Sequence, residues 1–564
     1  MAKNLTNNQI LLTELIKQEF NDNQNYIKED EFFEFFVAEQ ALKEYDLSYE
    51  EIEQGIKGAG LDGGCDGIYL FLNGMLINEN DTNDLKFPKD IKLELFILQA
   101  KNTTSFNEDA IMKWKTTSNN LLQMANKTTD YIGRYNNDIL NSFELFKDLY
   151  IKLIRNKVKL NINYVYISKG TEIHPNVIKQ ADELKQQVKT LFPSPNVVVT
   201  VEFVGADRLM ELISTSVNQD FSLKLIEPPI AIGSRKDYVA LVNLAEYFNF
   251  ITNEKGELIK HIFESNVRDY QGNTTVNEEI QDTLQNESLE DFWWLNNGIT
   301  IIASEAILAT GKEIVISDPE IVNGLQTSTE IFNYFSQHHE NISLEKRSVL
   351  VRVIVPENDE SRDRIILATN SQTTIPKASL RATDAIHRQI ELFFKTRGLY
   401  YDRRKNYYKN QGKRSSDIVS VPFLAQSLMS IMLQKPDYAR ARPSTLLTNE
   451  ESYKILYVDN QNLNTFYNAA YIGKTVENHL KKVSQYSTVE KGDILFYVVY
   501  AVTSNVIGKV KITGADLSNL DISKINDVLI ESTLEKVYKL YKDLGGNSKV
   551  AKGSELINAL QKIL

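Results

Sequence analysis

Gly58-Ala-Gly-Leu-Asp-Gly-Gly-Cys-Asp-Gly67 runs directly into Ile68-Tyr-Leu-Phe-Leu72, and the next apolar stretch is Leu93-Glu-Leu-Phe-Ile-Leu-Gln-Ala-Lys101. Glycine punctuation followed by a short continuous apolar run predicts a turn leading into a buried strand, and the second run predicts its neighbour. The polar connection around residues 78–84 is long enough for an exposed loop or hairpin. With the two strands side by side, Asp66 stands at the mouth of one. Gln99 and Lys101, two residues apart, project to one face at the end of the other. This grouping points to phosphodiester hydrolysis. Asp66 supplies a hard oxygen ligand for Mg²⁺ or Mn²⁺, the Gln99 carbonyl a weaker one, and Lys101 orients or activates water beside a phosphate.

Upstream, residues 28–45 read as one helix, with Phe32, Phe35 and Phe36 on a shared side and Glu31, Glu34 and Glu39 interrupting the apolar surface. A hard cation needs a further carboxylate; Glu39 is the expected one, with Glu34 its rival and Asp62 an assistant from the glycine-rich turn. The bland alternative makes Asp66 a turn closer and Lys101 a solvated strand end. Downstream, the chain turns helical to about residue 149. Strands over 159–168, 197–203 and 223–226 complete an α/β unit of about 230 residues, and Pro228-Pro229 marks its boundary. A helix is expected over 241–250, and helices again over 422–433 and 532–542, while 493–504 fits either a helix or a buried strand.

The 564 residues predict about two to four domains. With 42% hydrophobic and 24% charged residues and 12 prolines, the chain has the composition of a folded protein and excludes a disordered or collagen-like one. Its 63 basic and 75 acidic residues give a net charge of −12, so a polyanion partner requires a local basic groove. Cys65 is the sole cysteine, which excludes an intrachain disulfide and fits a reducing, cytoplasmic setting. No apolar signal segment follows Lys3, and no run approaches the roughly 18 residues that span a bilayer, so no membrane association is expected.

Asp66-Gly67-Ile68-Tyr69 followed by Leu98-Gln99-Ala100-Lys101 resembles the core of the PD-(D/E)XK nuclease superfamily, in the variant with glutamine at the usual acidic position. The C-terminal half is similar to the AIPR family, named for abortive infection and phage resistance. The likeness is carried by Asn266-Val-Arg-Asp-Tyr270, Phe292-Trp-Trp-Leu-Asn-Asn-Gly-Ile-Thr300, Ile321-Val-Asn-Gly-Leu-Gln-Thr-Ser328 and Thr369-Asn-Ser-Gln372, in order over about residues 240–510. The resemblances imply an α/β chain. A restriction-endonuclease-like N-terminal domain (1–230) precedes a mixed α/β and helical AIPR-like region (231–510) and a helical segment (511–564). They also imply a bacterial antiphage effector.

Within the second likeness, Asn296, Asn297, Asn323, Gln326, Asn370 and Gln372 offer donors and acceptors without net charge. They either bind a ligand or close backbone hydrogen bonds near glycine turns. Val322-Asn-Gly324 lacks the glycine and lysine pattern of a phosphate loop, so ATP binding is not expected. Between Arg381 and Arg414 the local sign reverses: ten basic residues, Arg381, Arg388, Lys395, Arg397, Arg403, Arg404, Lys405, Lys409, Lys413 and Arg414, face three acidic ones, a balance of +7. Tyr400, Tyr401, Tyr407 and Tyr408 are interleaved with them, and Arg440 and Arg442 extend the track. The pattern suits phosphate attraction and base stacking; its plainer reading is packed tyrosine rings under a solvated basic face.

The expected activity is Mg²⁺-dependent hydrolysis of DNA by a homodimer, with a phage-derived activator, using Asp66, Gln99, Lys101 and Glu39. The alternatives are an RNA-directed nuclease and a catalytically inactive nucleic-acid-binding or phage-sensing protein.

Overall fold

In the computed structural model, Gly67–Leu72 (β1) is flanked by Met75–Leu76 (β2) and Lys92–Lys101 (β3), both antiparallel to it. Lys159–Ser168 (β4) and Val197–Val204 (β5) extend the sheet in parallel, giving the order β2-β1-β3-β4-β5. The structure describes the whole chain except residues 1–4, 23–25, 59, 78–90, 215–219, 232–235, 254–255, 260, 264–274, 287–289, 371–384, 442–449, 459–460 and 484.

Parallel neighbours need long crossovers. Here Glu108–Leu121 (α4) and Asn137–Leu153 (α5) lie between β3 and β4, and Pro175–Leu191 (α6) between β4 and β5. Alternation along the strands then divides the side chains. Ile68, Leu70, Leu93, Leu95 and Ile97 join Trp114, Phe143 and Leu184 in one core. Tyr69, Phe71, Leu98 and Ala100 join Leu12 of Asn7–Asp22 (α1), Phe32 and Phe36 of Glu29–Ala41 (α2) and Leu209 of Ala206–Ser214 (α7) in another. A sheet covered on both faces explains why β1 and β3 read as continuous apolar runs.

Helix α2 departs from the expected one-sided stripe: Phe33 is buried with Phe32, Phe35 and Phe36, as are Val37 and Ala38. Its N-terminal turn carries Glu29, Asp30 and Glu31, the sign that a helix start favours. Tyr49–Gly55 (α3) follows, opened by a capping box between Ser48 and Glu51.

The chain folds into two compact units, Met1–Thr215 with Asp384–Leu564, and Ser216–Thr383. This division differs from a serial one at 230 and 510. The expected strand over 223–226 is Asp220–Lys224 (β6), and it pairs with a strand of the second unit, not with the N-terminal sheet. In that unit Ile230–Ala231 (β7) and Tyr238–Asn243 (β8) precede Leu244–Phe250 (α8), so the helix expected over 241–250 starts at Leu244, and its first residues are the end of a strand. Thr275–Gln285 (α9) and Phe292–Leu295 (α10) lead to Ile299–Ile302 (β9), Glu305–Thr310 (β10), Glu313–Ser317 (β11) and Glu320–Asn323 (β12). Leu325–Gln337 (α11), Ser348–Ile354 (β13) and Asp359–Asn370 (α12) complete it. Its sheets run β12-β9-β13-β8-β7 and β10-β11-β6.

The remainder is mainly helical, with one small parallel sheet of Tyr400–Asp402 and Ile418–Ser420; Val421–Met432, Leu463–Lys482, Thr488–Ile507 and Asp527–Asp543 share one apolar core. The ambiguous 493–504 run lies within a helix, started by a Ser487–Glu490 capping box and ended by Gly508. These C-terminal residues return to the N-terminal ones through ion pairs. Lys409 meets Glu39 at 3.1 Å, Lys405 meets Glu51 at 3.1 Å, and Lys481 meets Glu53 at 2.8 Å. Asn406 and Lys409 also donate to the backbone oxygens of Asp46 and Leu47. Acidic helices α2 and α3 thus take their counter-charges from a segment more than 350 residues away.

Lys481→Met would strand Glu53 in a largely enclosed place. Both side chains keep about a fifth of their exposure (19% and 20%), so the expected loss is about 2 kcal/mol, below the roughly 3–5 kcal/mol of a fully buried pair. Denaturant unfolding measures it, and hydrogen exchange in α3 and β1 should rise if the C-terminal helices hold the N-terminal segment.

Candidate active site

The β1–β3 register pairs Gly67 with Leu98, so one step outward Asp66 lies opposite Gln99. Three donors converge on Asp66 Oδ2: Gln99 Nε2, the Ala100 amide at 2.8 Å and Lys101 Nζ at 3.4 Å. The sequence-derived trio is therefore one cluster. Asp66 is buried and Lys101 is partly open to solvent. Gln99 Oε1 is enclosed with no hydrogen-bond partner.

The glycine-rich turn holds this carboxylate in place. Asp62 accepts from the Gly64 amide at 2.6 Å, Trp114 Nε1 donates to Gly64 O at 2.6 Å, and Thr117 donates to Gly63 O at 2.8 Å. Gly64 sits at φ 86°, and a Cβ there would lie 3.0 Å from Gln99 Oε1 and 2.9 Å from Lys113 Cβ, so the close approach to Gln99 requires glycine. At the end of β3, Asn102 donates to Glu29 at 3.2 Å and Asp30 at 3.1 Å, tying the strand to the start of α2.

Of the two α2 carboxylates, Glu34 is the one in the field of Asp66 and Lys101. Glu39 is engaged by Lys409. Glu34 is pushed up to about 9, first by burial, then by the charge of Asp66; Lys101 pulls it down, while Asp62 and Glu31 raise it further. Burial also raises Asp66, opposed by Lys101, the Ala100 amide and Gln99. Tyr166 of β4, beside Gln99 in the register, is raised chiefly by burial, with the Asn107 amide and the charges of Lys101 and Asp66 as smaller influences. Nothing in the sequence marked Tyr166 except its place in a strand.

Among the described residues, no three His, Cys, Asp or Glu side chains form a metal-holding group. The oxygens that fit a hard divalent cation are Asp66 Oδ1, which takes none of the three donors, and the orphaned Gln99 Oε1, with Glu34 as the adjoining carboxylate.

The basic stretch is largely occupied. Arg403 pairs with Glu391 at 2.6 Å, Arg414 with Asp417 at 2.8 Å, and Lys405 and Lys409 with α3 and α2. Tyr401 is fully buried, and Tyr408 is buried on Glu391. Arg404 stacks on Tyr407 at 3.5 Å, Arg397 on Phe393 at 3.6 Å, and Lys413 lies over half-buried Tyr400. Arg388 and exposed Lys395 lie on the helix Ala385–Lys395. The plainer reading accounts for most of these residues; Arg440 likewise pairs with Asp493 at 3.0 Å. Arg381 and Arg442 lie outside the described residues.

Of the amides, Asn296 donates to Phe292 O at 2.8 Å and Asn323 to Thr369 O at 2.5 Å, both closing backbone. Asn297 is exposed, Gln326 Oε1 is enclosed and unpartnered, and Asn370 ends α12. Gln372 and the motif at 266–270 lie outside the described residues.

The model of the AIPR protein family matches residues 263–548. This chain belongs to the AIPR family. Its matched segment includes most of the second unit and the C-terminal helices of the first. No curated protein and no solved structure matches the chain. Among the described residues, no helix is long and apolar enough to cross a membrane.

Two outcomes test the electrostatics. Glu34 keeps its proton in the folded chain up to about pH 9 but loses it near its ordinary value of 4.5 when unfolded. Its contribution to stability is therefore complete below that value and is lost as pH rises toward 9. In EDTA, Glu34→Gln should match the parent near pH 4.5 and exceed its melting temperature increasingly toward pH 9; a pH-independent difference would contradict the buried cluster. Arg403→Met, which strands Glu391, should lower stability by about 2–4 kcal/mol and leave the salt dependence of nucleic-acid binding unchanged.

Proposed function

We propose that this AIPR-family chain is a divalent-metal-dependent nuclease, an antiphage effector that hydrolyses DNA at the Asp66–Gln99–Lys101 cluster. The observation that carries the reading is the convergence of those three side chains at adjoining strand ends, with Gln99 Oε1 left unpartnered. Asp66, Gln99 and Glu34 would hold Mg²⁺ or Mn²⁺. The bound ion would supply polarisation of the phosphate and stabilisation of its developing charge.

The chain's own groups do the rest. The Lys101 side chain is partly open to solvent and its Nζ is anchored on Asp66, so it can donate to an attacking water or to a non-bridging phosphate oxygen. Asp66 holds that ammonium in place through Oδ2. Glu34, protonated near neutral pH without a cation, adds a carboxylate once positive charge enters the site, because opposite charge lowers a raised carboxyl pKa. A phage-derived activator and a homodimer complete the proposal.

A binding-only reading draws on one observation: Gln99 Nε2 already occupies Asp66 Oδ2.

Plasmid, linear duplex, single-stranded DNA and structured RNA, incubated with purified protein and Mg²⁺ or Mn²⁺, separate the readings. Cleavage should fall at least about 100-fold in Asp66→Ala and Lys101→Ala. Glu34→Gln should lose activity where Glu39→Gln keeps it. Equal loss in the last two would displace Glu34 from the site, and antiphage protection retained by folded Asp66→Ala would favour binding alone.

A further inference from the structure

In the second unit, strand register sets Asn323 beside Thr300 and Thr300 beside Arg352, a polar row across β12, β9 and β13. Ile299, Ile301, Val351 and Val353 point into that unit's main core. Thr300 and Arg352 therefore face the opposite side, where Ile302, Val322 and Ile366 of α12 make a small separate cluster. Asn323 belongs to the same side, since its amide reaches Thr369 O at the end of α12.

The row is unsatisfied. Thr300 is fully buried and its hydroxyl has no hydrogen-bond partner. Arg352 is half-buried, its Nε is enclosed without an acceptor, and no acidic side chain among the described residues pairs with it. Gln326, in the first turn of α11, has its Oε1 enclosed without a donor. Gly324 opens that helix at φ 103°, with Ile299 Cα 3.2 Å from where a Cβ would stand, which brings the first amides of a 13-residue helix to the start of β9.

Buried donors without acceptors are costly and rare in folded proteins. Two such donors, one of them a guanidinium, beside a helix N-terminus make a place for an oxyanion. We propose that this row binds a phosphate group of a nucleotide, with Arg352 and Thr300 donating to its oxygens. The phosphate belongs either to a free mononucleotide or to the 5′ end of a nucleic acid. The inference is independent of the nuclease reading.

The test is calorimetric titration of the full chain in EDTA, which also keeps oligonucleotides intact. The probes are AMP, inorganic phosphate, and a short oligonucleotide with or without a 5′-phosphate. Trp293 and Trp294, beside the start of β9, give a parallel fluorescence signal. Saturable binding is expected, competed by phosphate and weakened at least about tenfold by Arg352→Met and by Thr300→Val. Binding of AMP alone identifies a free nucleotide; binding of the 5′-phosphorylated strand alone identifies a nucleic-acid end. No saturable binding by any probe, or binding that both variants retain, overturns the proposal. Thr300→Val also reports without ligand: a hydroxyl with no bond to lose leaves the melting temperature equal or higher, and a clear drop would reveal an internal partner and overturn it too.

Discussion

The antiparallel pairing of β1 with β3 is the constraint on which the N-terminal site depends. It sets a buried carboxylate opposite a glutamine and brings an amide, a carboxamide and an ammonium onto one oxygen, Asp66 Oδ2. Burying a carboxylate is unfavourable unless such donors surround it. The same arrangement aims the turn backbone at α4, where Trp114 and Thr117 lock Gly64 and Gly63. A one-residue slip of β3 would exchange Gln99 and Lys101 for Leu98 and Ala100 on this face, and the trio would vanish. The apolar alternation of both strands resists that slip because each face enters a different core.

Charge in this chain is paired over long separations. The basic stretch after residue 384 looks like a polyanion surface when counted along the sequence, yet Lys405 and Lys409 meet Glu51 and Glu39, and Arg403 meets Glu391. The acids of α2 and α3 and the bases of the C-terminal segment are two halves of one electrostatic arrangement. A window of 34 residues contains only one half. The AIPR match has the same property: its residues after 384 fold with the first 215, so the matched segment is not one independent module.

Strands β1, β3, β4 and β5 were legible because short apolar runs bounded by glycine or polar turns have few other readings; strand spacing allowed Asp66, Gln99 and Lys101 to meet, and the resemblance to the nuclease core singled them out. Glu34 was not separable from Glu39. A helix with a narrow apolar stripe announces which side faces inward, but α2 buries Phe32, Phe33, Phe35, Phe36, Val37 and Ala38, so its pattern carries no phase. The strand expected over 223–226 lies instead at 220–224 and in another sheet, since β-propensity fixes neither exact ends nor a partner. Thr300 and Arg352 escaped notice because an arginine two residues from a strand's end looks like any half-exposed strand residue until its neighbours are known.

Helix α2 joins these themes. Glu34 and Glu39 are five residues apart, which at about 100° per residue places them roughly 140° around the helix axis. One looks to Asp66 and Lys101, the other to Lys409 of the returning C-terminal segment. The helix is packed on nearly all sides, so it moves as a rigid element and does not absorb a shift in its own side chains. At Glu34, burial first and then the charge of Asp66 raise the proton affinity. The long-range ion pair at Glu39 and the place of Glu34 near Asp66 thus belong to different sides of one buried helix.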